Sequence, residues 1–219
     1  LACITGAAGH HFLFSQGVVF PMEVRLEMPS NTAIVFYSLM GVFIGLLSIA
    51  VTKIVFIVED GFEKLPIHWA LWPAIGGLVV GIVGYFAPRT LGVGYNNITD
   101  ILNGHLSIQL LLSLCLLKFI SWVVSLGSGT SGGTLAPLLT IGGAAGALIG
   151  GVILYWFPDS GVTVPMAALV GMSAIFAGAS RAFITSIIFA LESTGESNAL
   201  LALLATCTAA YFSSYFIME

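Results

Sequence analysis

The chain of 219 residues is 58% hydrophobic and only 7% charged, with a mean hydropathy of +1.06. Soluble domains carry about 25% charged residues, so this composition excludes a soluble globular domain and indicates an integral membrane protein, all-α in fold class. The net charge of −4 comes from sparse residues in short connections, which offers no basic face for nucleic acid and no acidic tail.

A spanning helix needs about 20 apolar residues. Residues 1–20 meet that length, and the run opens without an initiator methionine, a charged n-region or a cleavage pattern, so the expectation is a piece of a longer polypeptide. The polar loop EVRLEMPSN follows, whose Pro29, Ser30 and Asn31 are suited to starting the next helix. Residues 32–58 form a longer, tilted span that stops at Glu59-Asp60-Gly61. A third span covers 68–87 and ends at Pro88-Arg89. The glycine and asparagine stretch GVGYNNITDILNG leads into a short helical piece, and 107–126 supplies another full span. Residues 134–157 follow and end at Trp156-Phe157-Pro158-Asp159.

The next two apolar runs, 165–178 and 181–193, are short, parted by Ser180-Arg181, before a longer run over 198–217. Neither short run can cross about 30 Å of hydrocarbon alone. Breaks at that depth must be buried in protein or line a watery cavity, and broken helices point to a transport pathway. The alternative is one kinked helix over 165–193 carrying an arginine. Arg181 and Glu192 bracket the second run and are expected to partner within a buried polar network rather than to bind a ligand. Cys3, Cys115 and Cys207 sit singly in apolar runs and read as small buried hydrophobes.

The stretch GSGTSGGTLAPLLTIGGAAGALIG, from Gly127, places glycines and a proline where a span begins. Gly129-Thr130-Ser131-Gly132-Gly133 fits the nucleophile pattern G-x-S-x-G. A serine hydrolase needs a base, and the four histidines do not serve: His10 and His11 sit mid-span, His68 lies at a boundary, His105 is in a loop, and no acid orients any of them. An anion cradle fits better. The first N–H groups of a helix have no internal partner, and the macrodipole adds roughly half a positive charge there. Gly127, Gly129, Gly132 and Gly133 let the backbone come close to a ligand, and Pro137 is tolerated in the first turn. Donors without fixed charge also let an ion leave. For residues 141–151 the glycines read instead as close helix packing.

Lys118 lies mid-span in LLSLCLLKFISWVV, where a charge marks function by default. Nine residues of helix put it about 14 Å from Gly127, close enough to draw anions without trapping them. The alternative is a lysine that snorkels to the interface.

At this point the residues carry a resemblance. SGTSGGTLAPLLTIG resembles the S-G-x-x-G-G-x-F-A-P-x-x-x-x-G signature of the CLC chloride channels and chloride/proton exchangers; GVGYNN is similar to that family's G-x-G-[FY]-N segment; Lys118 falls at its recurrent basic position; and MSAIFAGASRAFITSIIFALEST resembles its paired short helices. The resemblance implies a bundle of tilted and broken helices, with residues 1–219 as the second of two inverted repeats in the transmembrane domain. The first half, with its serine and gating glutamate, would lie elsewhere in the polypeptide, as would the pore tyrosine. It implies transport of chloride, as cargo rather than cofactor, by a channel or an exchanger in the cell membrane, inner or plasma. No metal or catalytic residue is expected. The anion would sit on the backbone amides of Thr134 and Leu135, with Gly132, Gly133, Ala136 and Pro137 lining the filter loop; Leu135 stands where the family usually has phenylalanine. A broken-helix transporter for another small solute is the alternative. A homodimer is also implied, through residues 1–20 and 181–216, with Ile184, Ile188, Leu191, Leu200 and Leu203 on the contact.

Overall fold

The computed structural model describes residues 5, 6, 9, 12 and 17–218. Within them run α1 (Asn31–Glu63), α2 (Trp72–Phe86), α3 (Tyr95–Leu102), α4 (Ile108–Gly127), α5 (Leu135–Trp156), α6 (Val164–Ser180), α7 (Phe183–Thr194) and α8 (Leu200–Met218), and the described residues contain no strand. Five segments, 31–63, 69–86, 108–127, 135–156 and 197–217, are long and apolar enough to cross a membrane. The span expected over 1–20 falls mostly outside the described residues, and its last positions, 17–20, are not helical.

Ser30 starts α1 as expected: its backbone is extended and its Oγ accepts from the Ala33 N–H at 3.2 Å. The helix does not stop at Glu59-Asp60-Gly61. It continues to Glu63 because Phe62 is buried against the Trp72 ring, centroids 6.3 Å apart, while the acidic side chains stay exposed. At 1.5 Å per residue α1 is about 50 Å long, so it must tilt or protrude beyond a core of about 30 Å.

α6 forms the centre. Ten consecutive residues, Met166 to Ile175, are buried, the mark of a helix apolar all round. Its partner α5 approaches closely through Gly142, Gly146 and Gly150, where an added Cβ would strike Ile175 and Gly171, Ala167 and Gly171, and Ala167 respectively. The small-residue reading of 141–151 therefore describes a packing seam. α1 and α8 pack against each other and both against α6.

The break between α6 and α7 is a true one. Arg181 takes left-handed backbone (φ 56, ψ 18), alone among described non-glycine residues, and Ala182 (φ −95, ψ 65) follows before α7 begins. A single kinked helix is thereby excluded. The expected buried network is also overturned: Arg181 and Glu192 are both exposed, at opposite ends of α7, and neither forms a salt bridge among the described residues. The Arg181 guanidinium instead lies 5.8 Å from the centroid of the Tyr215 ring.

On the outer side of α7 and α8, Ile184, Ile188 and Leu200 are exposed and Leu191 is partly buried. Leu203 is not on that surface. It is fully buried in the core with Ala199, Ala202 and Cys207, and Leu201 and Leu204 carry the outer face in its place. Cys207 is buried and Cys115 partly so, both as free thiols, and Cys3 lies outside the described residues.

A strap over residues 20–29 ties the bundle together. Asn103, at the end of α3, accepts from the Glu23 N–H at 2.8 Å and donates to the Pro21 carbonyl at 3.2 Å. Beyond α7, the Glu196 carboxylate accepts from the Leu26 N–H at 3.1 Å and the Asn198 amide donates to the Leu26 carbonyl at 2.8 Å. Phe20 and Leu26 point inward and are buried.

Candidate functional site

The loop joining α4 to α5 has a fixed half and an open half. At the fixed end, Ser128 is buried, its Oγ donates to the Ser125 carbonyl at 2.7 Å, and the N–H groups of Gly129 and Thr130 return to Leu126 and Ser125. Gly127 packs on α1: a Cβ there would meet Val58 and the Glu59 nitrogen. This glycine serves helix packing, not ligand approach. Gly129 has φ 77 and turns the chain, a conformation that favours glycine. Gly132 and Gly133 then stand exposed with open space where a Cβ would be.

The start of α5 is left uncapped. Thr134 holds the N-cap position, but its backbone is already helical (φ −96, ψ −28), and its side chain makes no cap bond. Ser30 and Ser107 show the contrast, with extended backbone and hydroxyls that accept from the third residue of α1 and α4. Among the described residues no hydrogen bond engages the amides of Thr134, Leu135 or Ala136, and Pro137 has no N–H to offer. The first turn therefore presents unpaired donors beside open glycines, with the partial positive charge of the helix end behind them.

A cavity of about 270 Å³ lies against this turn, bounded by Thr52 and Phe56 of α1, Trp122 of α4, Thr134, and Phe176 and Ser180 of α6. The Trp122 Nε1 is buried and has no hydrogen-bond partner among the described residues. Composition hides this residue, because a tryptophan in an apolar run reads as apolar bulk; the signal was its one polar atom within a span.

Lys118 does not snorkel. It is buried, and its Nζ donates to the carbonyls of Thr90 at 2.8 Å and Gly92 at 2.6 Å. The loop it grips is shaped by positive φ at Gly92 and Gly94 and by Asn97, which donates to the Arg89 carbonyl at 2.6 Å. Its charge is thus held within the glycine-rich segment. The Ser131 hydroxyl is exposed and has no histidine hydrogen-bonded to it among the described residues: His105 pairs with Glu23 at 3.4 Å, the His68 Nδ1 accepts from the Ala70 N–H, and His10 and His11 lie outside the described residues.

Residues 1–215 match the family model described as voltage gated chloride channel. An H(+)/Cl(-) exchange transporter ClcA of Yersinia pestis is 28% identical over 223 residues, covering 99% of this chain and 46% of that protein. A voltage-gated ClC-type chloride channel ClcB of Escherichia coli is 32% identical over 170 residues, covering 78% of this chain and 41% of its own length. The chain thus spans less than half the length of these relatives. Among solved structures, a slow cyanobacterial Cl-/H+ antiporter superposes with a TM-score of 0.84 at 23% identity, over 98% of this chain and 51% of that one. A CLC-type fluoride/proton antiporter gives 0.79 at 20% identity, over 96% and 51%.

Proposed function

The chain belongs to the voltage gated chloride channel family, and on that premise we propose that it contributes one wall of a pathway carrying chloride or a similar small anion across a membrane. The observation that carries the reading is the uncapped first turn of α5, whose Thr134 and Leu135 amides make no hydrogen bond among the described residues and follow directly on the open Gly132 and Gly133. In a low dielectric such donors bind an anion well, yet they lack the full charge that would slow its release. Ala136 and Pro137 complete the filter loop. Leu135 keeps the backbone donor of the family's phenylalanine and gives up the aromatic wall, so it bears on selectivity more than on binding.

The chain is proposed to be the second half of the transmembrane domain, completed by a first half of similar length, and the whole to be a homodimer through Ile184, Ile188, Leu191 and Leu200. Chloride is the cargo, with no cofactor. Bromide soaked into crystals of the full-length protein tests the site: an anomalous peak at the Thr134–Leu135 amides is expected, and a peak elsewhere with none there overturns it. Chloride flux with and without a pH gradient separates a channel from an exchanger.

A further inference from the structure

We propose that Arg181, at the break between α6 and α7, is the residue that recruits anions electrostatically to the site at α5, an inference that rests on the transport reading above. Three observations support it. From residue 119 to 219 Arg181 is the single cation. No carboxylate pairs with it among the described residues, a condition it shares with Arg25, Lys53 and Lys64, whereas Arg89 is held by Asp100 at 3.0 Å and Lys118 by two carbonyls. Arg181 also lines a cavity of about 530 Å³, with Thr185, Thr208 and Tyr211 as its polar side chains and Ala182, Phe183, Ile184 and Phe212 as its apolar ones.

Chain position sets this cavity next to the one beside Thr134. Ser180 bounds the space beside Thr134, and Arg181, the next residue, bounds the larger one. One peptide link separates the two walls, a Cα spacing of about 3.8 Å. An exposed guanidinium between two apolar helices is costly against lipid and is compatible with a watery vestibule. Its charge is fixed by the left-handed backbone and by the Tyr215 ring. There it raises the local concentration of anions without coordinating one at the amides.

The test uses the full-length protein in liposomes. Arg181→Gly removes the charge and keeps the backbone, since glycine accepts φ near 56 without strain. Its expected effect is a rise of about three- to tenfold in the apparent KM for chloride, with flux at saturating chloride changed less than about twofold. Arg181→Lys should restore the wild-type KM, and raised ionic strength should shrink the difference between Gly and wild type. Arg181→Cys should react with water-borne thiosulfonates, a cationic reagent lowering KM and an anionic one raising it. An unchanged KM in Arg181→Gly, an unreactive cysteine, or equal loss of maximal flux in Gly and Lys variants would overturn the inference. A wild-type protein that carries no chloride would instead overturn the transport reading, and this inference with it.

Discussion

Two glycine-rich stretches lie on either side of the first turn of α5, and they use the same residue in opposite ways. In 142–150 every fourth position is a glycine pressed against α6, so that a single methyl group would strike backbone or core side chains. In 132–133 the glycines face nothing within 4 Å, and the missing side chains leave room in front of unpaired amides. Ahead of both, Gly129 is required for its positive φ. Glycine content alone therefore says little; what a Cβ would meet decides whether the residue serves packing, turning or access.

Substitutions sharpen that contrast. Gly146→Leu has the largest expected effect, because its Cβ meets the Ala167 carbonyl and Gly171 and the seam cannot close. It should destabilise by about 3 kcal/mol, read as loss of a monodisperse peak and of the thermal transition. Gly133→Leu should leave the thermal midpoint within a few degrees while lowering chloride flux by about tenfold or more in the full-length protein, since a side chain there stands before the donors. A large fall in stability would instead place Gly133 in the packing class. Gly129→Ala should cost about 1 kcal/mol through its left-handed backbone, measured by denaturation, with flux per folded molecule retained. Ser131→Ala should change flux less than about twofold, as its hydroxyl is exposed and outside the row of amides. Flux abolished by that change alone would break the comparison, for then the loop would act through a side chain.

The spans were legible in the sequence because apolar runs of about 20 residues have one structural outcome in a bilayer. The α6–α7 break was legible for the converse reason, being too short on either side. The end of α1 was not, since the contact that prolongs it, Phe62 on Trp72, joins residues from different helices. Gly127 and Gly133 look alike in sequence and differ only in what another helix brings near them. Arg181 was misread because a charge within an apolar run suggests burial, and only the backbone turn shows that it emerges into a cavity. The candidate donors at Thr134 and Leu135 were legible because glycines before a helix start and a proline within its first turn mark the boundary from the sequence itself.

The strap over residues 20–29 has a consequence in time. Its ties to Glu196 and Asn198 span 170 and 172 positions along the chain. At about 5–20 residues per second, roughly ten to thirty seconds of synthesis separate the appearance of Leu26 from that of its partners. Until then the early segment has its ties to Asn103 and the Tyr95 ring, while Leu26 still waits for Glu196 and Asn198. The slowest step of assembly is expected to be this late closure of a very large loop, and weakening Asn198 should delay it without altering the helices already inserted.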